Sequence, residues 1–505
     1  MAIIVALALV AIVGQVWEVS FFVVNMLTGM GLALGVDYAL FIVSRFREER
    51  VAATEKVEAI VATGRTASRA VLFSGTAFVI AMTGMLLVPD TILRSLAAGA
   101  ILVGLTAVAA ATTLLPAVLS LLGDRVDGLR LPLVGRGSGE ARFWGAVVVR
   151  VQRRPLAYLL TTTAFLILLA LPALELRTGS AGVRTIPDGY PSKDGFNALE
   201  SEFGVGTVDS AQVVAEGDIQ SPKARAAIEN LVELLSNDTA FRAPDVSMSP
   251  DGELATVEAQ VRGDSRDEAA VQAVERLRTE VVPKAMAGAD LSVFVTGETA
   301  EIVDYREMLD RWLPIVFLYV LGFSFVLLTI AFRSLVVPAK AIVLNLLSVG
   351  AAYGLIVLIF QEGIGNEIFG FPKVDAIEAW LPLFLFSVLF GLSMDYHVFL
   401  LSRIRERYSQ TGDSSEAVAF GVRTTARLIT GAALIIVVVF VGFATGDLVM
   451  FQQMGFGVAV ALLIDATLIR CVLVPAAMEL LGDRNWWLPS WLDWLPHVEV
   501  EAEPR

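Results

Sequence analysis

DYALFIVSRFRE (37–48) and DYHVFLLSRIRE (395–406) lie 358 residues apart and align without a gap, with Asp, Tyr, Phe, Ser, Arg, Arg and Glu identical. Each string carries one carboxylate inside an apolar stretch and then runs into a basic one. PAVLSLLGDR (116–125) matches PAAMELLGDR (475–484) at an offset of 359, and FSG at 73–75 corresponds to ITG at 429–431. Matches in one order at nearly one offset indicate an internal duplication. The chain is therefore built from two units on one plan.

The units are apolar. Hydrophobic residues make up 56% of the 505, and mean hydropathy is +0.69, far above a soluble globular chain. A helix crossing about 30 Å of hydrocarbon needs about 20 mostly apolar residues. Ten segments are candidates, near 1–14, 20–43, 70–88, 95–122, 155–174, 312–332, 336–360, 380–402, 428–446 and 452–481. The first is short for a span and lacks the basic lead and cleavage site of a signal peptide. It reads as a helix whose beginning is missing. One cysteine, Cys471, excludes an intrachain disulfide framework, and two histidines make a histidine-built metal or catalytic site improbable. No Walker-type GxxxxGK[ST] string occurs. No cofactor is expected, and no basic patch interleaved with aromatics suggests nucleic acid.

The net charge of −14 is concentrated in the polar stretch 177–311, which holds 25 acidic against 13 basic residues. Loops 45–69, 123–154 and 403–427 are rich in arginine, whereas 86–94, 361–379 and 446–451 are poor in it. Positive loops stay in the cytoplasm. This predicts a multi-pass protein of the cytoplasmic membrane with 177–311 outside and the C-terminus inside. The resulting division is 1–122, a first transmembrane unit; 123–154, a cytoplasmic linker; 155–176, a transmembrane helix; 177–311, an extracytoplasmic domain; 312–482, the second unit; and 483–505, a cytoplasmic tail whose tryptophans suit a membrane-interface belt. Within 177–311, three strands (211–217, 255–261, 291–295) and two helices opened by Ser221 and Ser265 predict a β-α-β-α-β order, an α+β ferredoxin-like domain.

Charged groups inside a span are costly and are functional candidates by default. Asp37 lies eight residues before Arg45 and Asp395 eight before Arg403, which puts both carboxylates at about 12 Å of depth from the basic helix end. Each is followed by a tyrosine, Tyr38 or Tyr396. If the two helices meet across a pseudo-twofold, each aspartate faces the other unit's tyrosine, and a carboxyl so placed can gain and lose a proton. The alternative is a neutral Asp–Tyr bond that fixes helix register. Ser74 and Thr430 hold matching positions on the next helix, where such residues usually satisfy backbone. His397 reads equally as an extension of a proton path or as a packing residue. Asp465 and Arg470, in the last span, read as a structural ion pair.

GVDYALFIVSRFREE (35–49), GLSMDYHVFLLSRIRE (391–406), VLFSG (71–75), DATLIR (465–470) and VTGETAEIVDYRE (295–307) resemble the signatures of the MMPL family, the mycobacterial-membrane-protein-large branch of the RND transporters. The resemblance implies twelve transmembrane helices, two porter-like outer domains, and proton-driven export of lipids or other hydrophobic compounds, a transporter rather than an enzyme. It makes Asp37, Tyr38, Ser74, Asp395 and Tyr396 the central relay, with His397 and Thr430 secondary. It also makes 1–14 the family's third helix, so the chain reads as N-terminally shortened, lacking two helices and the first outer domain. The expected partners are protons, the membrane and an amphiphilic substrate, with a homo-oligomer or envelope proteins left open. Efflux of drugs or small amphiphiles, and a non-transporting envelope scaffold, are the alternative readings.

Overall fold

Inside hydrocarbon a backbone must satisfy its own N–H and C=O groups, so apolar segments of this length fold as helices. The computed structural model describes residues 1–52, 55–123, 126, 138–179, 185–187, 189–203, 210–262 and 265–496, and the side chains of a few of these, Asp395 among them, lie outside the described set. Among the described residues nine helices are long and apolar enough to cross a membrane. The short α1 (Ala2–Val13) precedes α2 (Phe22–Ala52), α3 (Lys56–Leu86) and α4 (Thr91–Leu122). The helix α5 (Ser138–Arg153) runs through the second half of the stretch expected to be a linker. It buries Val148 and Val151 while leaving Arg150 and Arg153 exposed, the pattern of an amphipathic surface helix. Pro155, at a first helical position where a missing N–H costs nothing, then opens α6 (Pro155–Glu175).

An α/β domain comes next. The helix α7 (Pro191–Phe203) leads to β1 (Ser210–Glu216), α8 (Pro222–Asn237), β2 (Phe241–Met248), β3 (Leu254–Val261), α9 (Glu268–Arg276) and β4 (Ser292–Thr296). The strands form one antiparallel sheet in the order β2-β3-β1-β4. Strand β2 is absent from the sequence expectation. Its string FRAPDVSM lies at a sheet edge, mostly exposed, with Pro244 inside a bulge between Arg242 and Asp245. An edge tolerates a proline and polar residues that a paired strand does not, so the alternation is erased. Ser221 accepts the Ala224 N–H at 3.3 Å and caps α8 as expected. Ser265 does not cap α9. That helix starts after Asp267, and the Ser265 hydroxyl donates instead to Glu298 Oε2 at 3.0 Å, tying the loop to the next long helix.

That helix, α10 (Glu298–Phe332), runs without interruption from the α/β domain into the apolar helix bundle. It is followed by α11 (Val336–Gln361), α12 (Leu381–Thr411), α13 (Ser414–Ala444) and α14 (Val449–Trp486). Glycines allow the closest approaches. A Cβ on Gly354 of α11 would lie 1.8 Å from the Leu169 carbonyl of α6. Such small-residue contacts replace the hydrophobic drive that lipid removes. Two helices widen to π-type turns at corresponding places, Ala110–Leu114 in α4 and Asp465–Leu473 in α14. π-type turns of this sort often mark functional positions. The tail folds back on the basic end of the second unit: Trp486 stacks on Tyr408 at 5.7 Å, and the Arg405 guanidinium lies 4.9 Å from the Trp486 ring. Trp487, Trp491 and Trp494 remain exposed.

Candidate functional site

The two signature helices, α2 and α12, meet at their shared phenylalanine. Phe41 and Phe399, which correspond in the repeat, pack edge to face with centroids 4.5 Å apart. Beside that contact is a cavity of about 30 Å³ lined by Asp37, Tyr38, Ser74, Phe41, Phe399 and Tyr396. It has room for about one or two waters. Ser402 adds one more hydroxyl to walls that are otherwise apolar, so a carboxylate here has few groups to answer it.

Asp37 is half-buried and shares the cavity with Tyr396 of the opposite unit, and Arg470 is a charge near enough to act on it. Tyr38 and Tyr396 are 2% and 6% exposed, so both hydroxyls sit in the interior. A Cβ on Gly75 would lie 2.2 Å from Val108 Cγ2 and 3.5 Å from the Tyr38 hydroxyl, so a glycine is what lets α3 and α4 close around that ring. Ser74 lines the cavity and donates to the Val71 carbonyl at 3.3 Å. Thr430, its counterpart in the repeat, donates to the Ala426 carbonyl at 2.7 Å, and α13 offers the cavity Leu428 and Ile429 instead. The expected role of Asp395 lies outside the described residues; only its place in α12 is given.

Asp465 and Arg470 meet, with Nε 2.9 Å and Nη2 2.5 Å from Asp465 Oδ2. The five-residue spacing suits the π-type turn that carries them, which brings side chains i and i+5 onto one face. Sequence reasoning missed what they join. Arg470 Nη2 also donates to the Ser393 carbonyl at 2.5 Å and to its hydroxyl at 3.1 Å, and the Ser393 hydroxyl donates to Asn345 Oδ1 at 3.1 Å. The Arg470 guanidinium lies 4.8 Å from the Tyr396 ring. The buried pair therefore reaches the tyrosine that lines the Asp37 cavity. Ser393 and Asn345 carry no charge, and only their apolar surroundings in the sequence mark them.

In the turn between α3 and α4, Asp90 accepts the Ile92 and Leu93 N–H groups at 3.0 and 3.1 Å and caps α4. Burial pushes its carboxyl above the ordinary 3.8, against the pull of those N–H groups, Tyr305 and Arg94.

The chain matches the model of the MMPL family over residues 1–158 and 185–496. It is 37% identical to a Mycolicibacterium smegmatis protein named mycolic acid-containing lipids exporter MmpL11, over 99% of this chain and 53% of that protein. It is 36% identical to a Mycobacterium tuberculosis protein named heme uptake protein MmpL11, over 99% of this chain and 52% of that one. The chain thus spans about half the length of these curated relatives. Among solved structures, the hedgehog release protein Disp from the water bear Hypsibius dujardini superposes with a TM-score of 0.65 at 14% identity, over 95% of this chain and 66% of that one. That likeness is one of fold.

Proposed function

Because the chain belongs to the MMPL family of RND-type membrane transporters, we propose that it exports a lipid-like amphiphile from the cytoplasmic membrane toward the envelope, driven by protons that pass through the cavity between its two units. One observation carries the proposal: Asp37 of one unit and Tyr396 of the other face a single small cavity together with Tyr38 and Ser74.

The work follows from charge. A carboxylate in a span is costly when ionised and cheap when neutral, so the helix arrangement that suits one form does not suit the other. One charge crossing the whole field releases about 2.3 kcal/mol per 100 mV. Protonation that favours one arrangement of the units thus converts the gradient into motion. Asp395, by its position in the repeat, supplies the matching carboxylate. Thr430 contributes to the helix backbone instead of the relay, because its hydroxyl is turned back onto Ala426.

Cargo chemistry is supported by the relatives, whose names specify mycolic acid-containing lipids and heme. Both are amphiphiles with large apolar bodies. Such a cargo leaves the bilayer sideways and needs an apolar route beside the helices. The charge distribution supports an orientation with the acidic 177–311 domain on the envelope side and the arginine-rich helix ends in the cytoplasm.

Replacing Asp37→Asn in the host gene tests this. Expression is expected near wild type, with loss of one lipid class from the outer layer and its accumulation inside. Full proton-dependent export by the variant overturns the reading. Unchanged lipids with new sensitivity to small amphiphilic drugs moves the cargo to that class. For the orientation, Asn237→Cys is expected to react with an impermeant thiol reagent from outside and Ser409→Cys not to; the reverse pattern inverts the topology.

A further inference from the structure

The second unit holds a polar column that runs from the Tyr396 layer to its basic end. Its top is the Asp465–Arg470–Ser393–Asn345 network, beside a cavity of about 10 Å³ lined by Asn345, Ser348, Ser393 and Asp465, room for about one water. Four residues along α12 from Ser393, about 6 Å deeper and on the same helix face, is His397. Five residues back along α11 from Asn345, about 7.5 Å toward the same end, is Lys340. Since Ser393 and Asn345 are hydrogen-bonded across the two helices, His397 and Lys340 fall at similar depth one layer below them.

His397 is fully buried, and among the described residues neither ring nitrogen has a hydrogen-bond partner. A buried imidazole with both nitrogens unanswered is costly and calls for an explanation. The charges that act on it are Arg470 from α14 and Lys340 from α11. Lys340 is half-buried and donates to Asn485 Oδ1 at 3.2 Å. Asn485 is itself fully buried and is held by its Nδ2 donating to the Met478 and Gly482 carbonyls at 2.8 and 2.6 Å. The column thus ends under the folded-back tail.

We propose that His397 and Lys340 form the cytoplasmic leg of the proton path, a leg present in the second unit only. This rests on the proton-driven reading above. A proton released from the Asp37–Tyr396 layer adds to one ring nitrogen of His397, and the proton on the other nitrogen passes to the Lys340 amine. The ammonium so formed gives its proton to cytoplasmic water, and rotation of the ring restores the starting tautomer. An imidazole is suited to this because its two nitrogens exchange donor and acceptor roles. The first unit has Ala39 where the second has His397.

Proton flux into vesicles carrying the full chain, followed with a pH-sensitive dye, tests the leg. His397→Gln keeps the shape and hydrogen-bonding capacity of the ring but carries no proton, and Lys340→Met removes the acceptor. Each is expected to reduce flux at least about tenfold, while His397→Glu, which can carry a proton, recovers part of it. Asp37→Asn is the control. If it leaves flux intact, the parent reading fails. If it abolishes flux while His397→Gln and Lys340→Met run at the wild-type rate, this leg alone is overturned. Nitrogen NMR of the histidines in detergent gives a readout independent of flux, since the chain has only two. The His397 ring is expected to titrate differently in Lys340→Met, and a ring signal unchanged by that substitution also overturns the leg.

Discussion

The two helix units share a scaffold and differ in what fills it. Where the second has Ser393, His397, Asp465 and Arg470, the duplication gives the first Gly35, Ala39, Thr106 and Ala111. In the second unit Ser393, Asp465 and Arg470 build a buried network around a cation, and His397 is buried one helical turn from Ser393. In the first, Gly35, Ala39 and Ala111 line an apolar cavity of about 330 Å³, and the Thr106 hydroxyl donates to its own helix at Leu102 O, 2.9 Å away. Both units nevertheless keep the π-type turn at this point. A backbone irregularity retained without the charges it serves indicates that the turn belongs to the common scaffold, and that ion chemistry was placed on one copy. The proton leg proposed above is the functional form of that asymmetry.

The comparison is easiest to break at the buried pair. Arg470→Met leaves Asp465 as an uncompensated buried charge, which should destabilise the fold by about 3–5 kcal/mol. The matching change in the first unit, Ala111→Met, extends into a cavity and should have a far smaller effect. Thermal melts of both in detergent check this, and equal losses would mean that the network is dispensable. An intermediate effect is expected at the glycines. Gly75→Ala drives a methyl to within 2.2 Å of Val108 Cγ2 and should cost about 1–3 kcal/mol, whereas a Cβ on its counterpart Gly431 meets nothing within 4 Å, so Gly431→Ala should stay within about 0.5 kcal/mol. Melting of the two variants side by side separates them, and a larger shift for Gly431→Ala would invert the assignment of the tight face.

The smallest effect concerns pH at the turn between α3 and α4, away from the cavity that Asp37 lines. The Asp90 carboxyl is raised by burial above its unfolded 3.8. Its stabilising contribution is therefore fully present below that value and is lost as pH rises through the folded one. Asp90→Asn keeps a side chain able to cap α4 but does not titrate. Wild type should accordingly gain melting temperature relative to Asp90→Asn as the pH falls, and a difference flat with pH would show that the burial is not felt.

Much of this was legible in the residues. Apolar runs of about 20 residues leave a backbone only the helix in hydrocarbon, so the nine long spans among the described residues follow from composition. The duplicated Asp-Tyr strings identified the two helices that meet. Sequence also paired Asp465 with Arg470, because a charge in a span needs an opposite one. It did not show β2, whose edge position removes the alternation that announces a strand, nor the true start of α9, where Ser265 was drawn to Glu298 across the fold.

Tertiary structure alone decided the rest, and the reason is that neutral polar residues carry no mark of their partners. Ser393 and Asn345 read as ordinary helix residues until packing of α11, α12 and α14 brings them to Arg470. Thr430 and Ser74 look equivalent along the chain, yet only Ser74 lines the cavity, because rotation about the helix axis, set by neighbouring helices, decides which hydroxyl faces it. His397 was equally a packing residue or a relay by sequence. Its surroundings, Arg470 and Lys340 with both ring nitrogens unanswered among the described residues, come from helices 57 residues back and 73 residues ahead in the chain, and no local pattern encodes them.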